Sequence, residues 1–439
     1  MKPSPGDTIK IATTEATFEG ILLQRPALFE PGFIVLKLDN GYNIGIEEKK
    51  IKKIETIKQY EMPIIKRKEF KHNPKLPTVA ILSTGGTISS RIDYKTGGVI
   101  ADYTADDFIQ MCPELAEVAN MKAKKVMGIM SEDLLPEDWK KMAEFIAEEL
   151  NNKDIAGVVV THGTDTMHYT AAALHFFLKN INKPVIITGS QRSIDRGSTD
   201  AFMNLICSVT AAARFDGAVV ATCLHGSTND DYCILNRGGR VRKMHTARRD
   251  AFQSIDELPL AKVFPGGSIE VINTAYKKRA DVKVEVEGAF EKKIAIIEVF
   301  PGMDPGVINF YLDKGFKGII LNATALGHVP TVFPEYSLMD ALQYAREKKV
   351  PVIVSSQTIN GRVHPFVYTN LRKLSIERDC IFVEDMLPEV AYVKLGWVLA
   401  KTQDTKKVKE LMLTNYIGEI TERSDPRAYP FDHGIAKKH

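Results

Sequence analysis

Three short loops hold most of the residues whose types and spacing could do chemistry. Ser83-Thr84-Gly85-Gly86-Thr87-Ile88-Ser89 follows one apolar run, Thr161-His162-Gly163-Thr164-Asp165-Thr166 a second, and Thr188-Gly189-Ser190-Gln191-Arg192 a third. Adjacent glycines let a backbone approach a ligand closely and aim amide N–H groups at an anion or oxyanion. Gly85-Gly86 alone is weak evidence, because such turns more often cradle a phosphate or simply reverse the chain. The pattern fits neither G-x-G-x-x-G nor a P-loop, which needs a lysine absent here, and G-x-S-x-G is missing. What remains is Thr87 behind two glycines, a natural place for a hydroxyl nucleophile, weak unless a base or cation activates it. Metal binding explains the loops poorly, since His162 and Asp165 make no ligand set and no cysteine is near. Thr164-Asp165 falls where a helix begins, so capping competes with catalysis as their role, although it would account for only one of them.

Such loops need a frame that presents them together. Val79-Ala80-Ile81-Leu82, Gly157-Val158-Val159-Val160, Val185-Ile186-Ile187 and Gly217-Ala218-Val219-Val220-Ala221 read as buried strands. Between them lie helical stretches: a face of Trp139, Met142, Phe145, Ile146 and Leu150, an Ala-rich run from Thr166 to Leu178, and Asp200 to Arg214. The alternation predicts a mostly parallel sheet, and ligands of such sheets sit outside the carboxyl ends of the strands. A second series has strands at Ile294–Val299, Gly318–Leu321 and Val350–Ser355, with helices at Leu338–Lys348 and Glu389–Ala400. Pro265-Gly266-Gly267 and the charged stretch Lys277 to Lys293 mark the boundary zone.

Residues 1 to 57 read differently. Short β-type runs with Asn40-Gly41 as a tight hairpin signal predict a small β-barrel of SH3-like kind, a module that usually binds partners. The expected organisation is therefore a β-barrel at 1–57, a basic linker at 58–76, an α/β domain carrying the loops at 77–270, a second α/β domain at 290–420 and a tail at 421–439.

The 439 residues are too many for one ordinary core. No apolar stretch approaches the roughly 20 residues of a membrane span, and the start lacks the apolar core of a secretory signal. Five scattered cysteines without a C-x-x-C pair argue against a disulfide framework or a structural zinc. A soluble cytoplasmic protein with reduced thiols is expected. The net charge of +3 comes from 58 basic and 55 acidic residues. Lys49 to Lys75 alone holds ten Lys/Arg and three Glu, a local +7, which leaves −4 for the rest. That segment is either a solvated linker or a contact for something anionic, such as nucleic acid.

Thr84-Gly85-Gly86-Thr87-Ile88 with Val160-Thr161-His162-Gly163-Thr164-Asp165-Thr166-Met167 resembles the two signature segments of the asparaginase/glutaminase family. The two threonines are 77 residues apart. The resemblance extends through Thr188-Gly189-Ser190-Gln191 and Val383-Glu384-Asp385-Met386 and covers roughly Pro77 to Leu413. It implies Thr87 as the nucleophile on a side-chain amide carbon, and Thr164 in a triad-like group with Asp165 and a lysine. Lys243, in Arg242-Lys243-Met244-His245-Thr246, matches that lysine. Five arginines crowd the same stretch, so a plain surface lysine is the competing reading. Asp165 would also hold the substrate's α-ammonium, and Ser131 its carboxylate, with helix capping before Pro136 as the alternative for Ser131. Backbone N–H groups near Gly86 and Thr164 would face the oxyanion. Tyr94 and Tyr103 flank the window where the family places a loop tyrosine, which makes both candidate acid/base groups. No metal or organic cofactor is implied for this chain.

About 76 residues precede the first strand of that body, which freestanding asparaginases lack. A small β domain and linker ahead of such a body resembles the D-type subunits of archaeal glutamyl-tRNA(Gln) amidotransferases. The resemblance implies release of ammonia from glutamine or asparagine for a partner, the E-type subunit, which would use ATP and Mg to amidate the glutamate on tRNA(Gln). Contact with tRNA would run mostly through the partner, and a homodimer within a heterotetramer is expected. Competing expectations are a freestanding type I L-asparaginase with an extra domain, and a non-catalytic α/β module that binds an amino acid.

Overall fold

The computed structural model describes residues 3–24, 31–60, 72–86, 90–92, 99–101, 112–194 and 197–429. They fall into two units: one within Met1–Lys71 and Ser90–Asp102, the other within His72–Ser89 and Tyr103–His439.

The first unit is built on an antiparallel sheet of β1 (Thr8–Thr13), β2 (Thr17–Leu23), β3 (Phe33–Lys37), β4 (Asn43–Glu47) and β5 (Ile51–Lys58), in the order β4-β3-β2-β1-β5. The hairpin signal is realised: Gly41 takes φ +86° in the turn between β3 and β4, a conformation glycine adopts without a steric cost. Ile9, Ile11, Leu36 and Ile46 form its core. The expected closed barrel is not formed. Among the described residues β4 and β5 are edges that do not pair, and a single 3-10 turn, Glu48–Lys50, carries the chain from one edge to the other. Most of β5 is exposed, so the basic run begins on an edge strand rather than in a linker. Lysines on an edge discourage pairing with another chain. A short antiparallel hairpin, Ser90–Ile92 with Val99–Ala101, belongs to the same unit.

The second unit is built on two main sheets, with two short two-stranded pairs beside them among the described residues. β6 (Thr78–Ser83), β7 (Asn120–Lys125), β8 (Ile155–Thr161), β9 (Val185–Thr188), β10 (Val220–His225), β11 (Cys233–Arg237), β14 (Ala261–Val263) and β15 (Ile269–Val271) form the larger, in the order β15-β14-β11-β10-β9-β8-β6-β7. From β10 to β7 every pairing is parallel, and the β11 side is antiparallel. A separate pair, β12 (Val241–Lys243) and β13 (Phe252–Ser254), branches off after β11. The smaller sheet, β16 (Ile294–Glu298), β17 (Gly318–Ala323), β18 (Val352–Ser356) and β19 (Ile381–Phe382), is wholly parallel.

The longer helices are α1 (Pro136–Leu150), α2 (Met167–Phe177), α3 (Ala201–Arg214), α4 (Gly306–Asp313), α5 (Met339–Glu347), α6 (Pro388–Leu399) and α7 (Thr405–Leu413). Five of them cover the stretches that read as helical, and α4 and α7 are additions to that reading. Trp139, Met142, Ile146 and Leu150 are buried on one face of α1, as their spacing requires. One apolar core runs through both sheets, from Leu82 and Val160 to Ile320, Ile353 and Val390, and α2 packs on α6 at its centre. Pro265-Gly266-Gly267 is not a boundary. It turns the hairpin between β14 and β15, with Phe264 N–H bonded to Ser268 O at 3.0 Å and Gly267 at φ +88°.

Candidate active site

β6, β8 and β9 are parallel neighbours, so the three glycine- and hydroxyl-rich loops leave the same edge of the sheet. Glycine makes their contact possible. A Cβ on Gly86 would lie 2.3 Å from the Gly163 Cα, one on Gly85 2.5 Å from Ile129 O, and one on Gly189 2.5 Å from His162 O. Gly85 and Gly86 also take φ +112° and +79°. Thr84 Oγ1 donates to Thr161 O at 2.8 Å and pins the first loop to the second. Asp200, fully buried at the start of α3, accepts the backbone N–H groups of Gln191 and Arg192 and shapes the third.

Capping does not explain Thr164 or Asp165. The N-cap of α2 is Thr166, and no side chain caps that helix. Thr166 Oγ1 turns instead to Ser131 O at 2.6 Å. Thr164 is buried and Asp165 exposed. Between them stands Lys243, the last residue of β12, whose Nζ donates to Thr164 Oγ1 at 2.9 Å and Asp165 Oδ1 at 2.7 Å. Its side chain is only 10 % exposed, so it is no surface lysine. An ammonium bonded to a hydroxyl and a carboxylate can pass a proton through the threonine while the acid balances its charge.

Ser131 is buried and opens a short 3-10 turn, with its side chain packed against Gly163. It does not cap α1: that N-cap is Leu135, whose N–H donates to Asp138 Oδ2 at 2.9 Å. The structure thus brings Gly86, Ser131, Thr164, Asp165 and Lys243 into one locality. Thr87, Tyr94 and Tyr103 lie outside the described residues.

The locality keeps its imidazoles neutral. Burial pushes His162 down to about 4, with its Nδ1 2.6 Å from Gly163 O. His168, on α2, is also pushed to about 4 by burial and by the cations Arg242 and Lys243. Residues not singled out by sequence support this arrangement from a distance. Arg240 is fully buried and its Nη2 meets Asp385 Oδ2 at 3.0 Å, tying the first α/β domain to the second. Glu389, buried at the start of α6, takes Arg242 Nε at 3.1 Å. A carboxylate in a largely apolar helix, whose one other charged residue is Lys394, was the available signal for Glu389. A cavity of about 620 Å³ lies elsewhere, between the end of α2 and α6–α7, with His175, Arg237, Trp397 and Tyr416 in its wall. Among the described residues no cluster of three or more His, Cys, Asp or Glu is arranged to hold a metal, and no helix is long and apolar enough to cross a membrane.

Comparison with known proteins agrees with this geometry. Family models described as "Asparaginase, N-terminal", "Glutaminase/Asparaginase C-terminal domain" and "GatD N-terminal domain" match residues 78–277, 293–412 and 4–57. The D-type subunit of the glutamyl-tRNA(Gln) amidotransferase from Pyrococcus abyssi is 48% identical over 95% of this chain and 94% of its own length. That of Methanopyrus kandleri is 43% identical over 95% and 92%. Among solved structures, the thermostable L-asparaginase from Thermococcus kodakarensis superposes with a TM-score of 0.69 at 28% identity, covering 79% of this chain and 100% of its own. L-asparaginase I from Vibrio cholerae gives 0.67 at 30%, covering 79% and 99%. An asparaginase-type body behind a matching N-terminal domain, at this identity over nearly the whole length, places the chain in the family of D-type glutamyl-tRNA(Gln) amidotransferase subunits.

Proposed function

We propose that this chain releases ammonia from the side-chain amide of free glutamine, or asparagine, for the amidation of Glu-tRNA(Gln) by a partner subunit. The observation that carries this reading is the extent of similarity. Relatives named as D-type amidotransferase subunits match 95% of the chain, whereas the asparaginase structures, matched end to end, leave about a fifth of it uncovered.

In this reading Thr87 Oγ attacks the amide carbon, forming a C–O bond, and the C–N bond then breaks to release ammonia. Lys243 and Thr164 carry the proton that leaves the attacking hydroxyl and must reach the departing nitrogen. Water then cleaves the ester, giving the free acid and restoring Thr87. The N–H groups near Gly86 and Thr164 face the developing oxyanion. The exposed carboxylate of Asp165 suits the substrate's α-ammonium, and Ser131 its α-carboxylate. Tyr94 and Tyr103 are the candidates for activating Thr87. This chain needs no cofactor for these steps. ATP and Mg belong to the partner, the E-type subunit, where they would activate the tRNA-bound glutamate. The N-terminal sheet and its basic edge serve as a docking module within a cytoplasmic heterotetramer built on a homodimer, with tRNA(Gln) held mostly by the partner.

The test is ammonia release from L-glutamine and L-asparagine by the chain alone, with its E-type partner, and with that partner plus Glu-tRNA(Gln). The rate should rise at each addition and vanish in Thr87→Ala. Equal rates in all three settings, with vigorous asparagine hydrolysis by the lone chain, would assign it instead as a freestanding asparaginase. Binding of an amino acid that survives Thr87→Ala without any turnover in the wild type would make it a binding module.

A further inference from the structure

Arg242 and Lys243 are consecutive on β12, so their side chains project to opposite faces of the strand. Lys243 reaches Thr164 and Asp165, and Arg242 reaches into the second α/β domain. There its Nε meets Glu389 Oε1 at 3.1 Å, in the first turn of α6. The same oxygen lies 3.6 Å from Nε2 of His168, the second residue of α2, and α2 begins directly after Thr164-Asp165-Thr166. One carboxylate therefore faces both the strand that carries Lys243 and the helix that follows directly on Thr164-Asp165.

Stability is a poor explanation for this cluster. Glu389 is 4 % exposed, and Glu389 Oε2, Arg242 Nη1 and His168 Nδ1 are buried without a hydrogen-bond partner among the described residues. A half-satisfied buried polar cluster is worse for folding than apolar packing of the same shape. Its position on the far side of the strand that presents Lys243 offers a functional reason instead.

We propose that Glu389 is a positioning residue for the amide hydrolysis: through Arg242 it anchors the strand that carries Lys243 and holds the lysine Nζ on Thr164 and Asp165. The inference rests on the reading of Lys243 as part of the reacting site. Glu389 also offsets the charge of Arg242 beside that lysine. The titratable and charged groups around it are Arg242 on β12, His168 and Tyr169 on α2, and Tyr392 on its own helix. His168 in turn feels Lys243, His162 and Asp165.

The test compares Glu389→Gln and Arg242→Gln with the wild type in the assembled amidotransferase, measuring ammonia release from L-glutamine across pH. Both variants should lower kcat by roughly ten- to a hundredfold, as for loss of an outer group that orients a reacting one, with KM changed less than threefold. Their pH midpoints should move in opposite directions. Removing the carboxylate makes the surroundings of Lys243 more positive and shifts the midpoint down by roughly half a unit, and removing the guanidinium shifts it up. Glu389→Asp, which keeps the charge on a shorter stem, should recover part of the lost rate. A merely structural role would give parallel losses without opposed shifts, and that result overturns the inference while leaving the proposed function intact. If Glu389→Gln does not fold, Arg242→Gln with an unmoved midpoint overturns it alone. A wild type that releases no ammonia in the complex overturns both.

Discussion

Two lysines of the α/β body make the same kind of ion pair in opposite surroundings. Lys394, on α6, is fully buried, and its Nζ donates to Met412 O at 2.9 Å, Thr414 O at 2.6 Å and Glu419 Oε1 at 2.6 Å. All three of its donors are engaged, and Glu419 is equally buried and accepts the N–H groups of Tyr416 and Ile417. Burial pulls this ammonium below the usual lysine range, against the pull of Glu419. Among the described residues Lys243 has two partners for its three donors, and its carboxylate partner Asp165 has a side chain 64 % exposed. A lysine whose bonds are complete closes a loop onto a helix. One with a donor left over among the described residues, set between a buried hydroxyl and a solvent-exposed carboxylate, is able to exchange a proton with a bound molecule.

The contrast predicts a division of effects. Lys243→Met should cut ammonia release by about a thousandfold or more. The same change should alter unfolding free energy by under about 1 kcal/mol, because its carboxylate partner is already in water. Rate assays and urea unfolding of the same preparation check both. Lys394→Met should do the reverse. It leaves Glu419 buried without its cation, at a cost of about 3–5 kcal/mol in stability, while the protein that remains folded keeps its turnover. If Lys394→Met spares stability, or Lys243→Met spares activity, the distinction between the two sites fails.

A smaller effect tests burial without an ion pair. His162 and His168 are pushed to about 4, and His175 to about 3, from an ordinary 6.5, chiefly by burial. The unfolded chain takes up these protons first as pH falls. Stability should therefore be full above about pH 6.5 and decline from there toward pH 4 and 3, by roughly 1–3 kcal/mol for each imidazole. Urea midpoints measured from pH 7 to 4 check this, and His175→Gln should flatten part of the slope. The smallest effect belongs to the exposed pair Lys53–Glu55 at 3.1 Å on β5. Lys53→Ser should change the unfolding free energy by less than about 0.5 kcal/mol. A larger change would show that the edge strand depends on its charges.

Much of the body is legible in sequence for physical reasons. Strands covered on both faces read as unbroken Val/Ile runs, and the loops between them announce themselves by glycines that the structure uses for close approach. Asn40-Gly41 is equally clear. Pro265-Gly266-Gly267 is not, because a hairpin turn and a linker need the same residues. Short β-type runs and turn signals identify the N-terminal strands but not which edges will meet, so a closed barrel does not follow from them. At the site, Thr164 and Asp165 stand out as a hydroxyl and an acid in a loop that follows a strand, and Lys243 is found through a resemblance to a family, whereas Arg240–Asp385 and Arg242–Glu389 join residues about 145 positions apart. No local pattern encodes such a partner. Their only trace is a charged residue within a segment that folding buries.

Arg240 carries a consequence for how the body can be divided. Its guanidinium donates to Gly418 O at 2.9 Å, to Asp385 O at 2.9 Å and to the Asp385 carboxylate, so one side chain joins the first domain, the second, and the segment that follows α7. An α/β domain cut away at the boundary would expose a charge without its acceptors, or acceptors without their charge, along with half of a shared core. Neither half keeps its buried charge satisfied without the other, so the two α/β domains should melt as one unit.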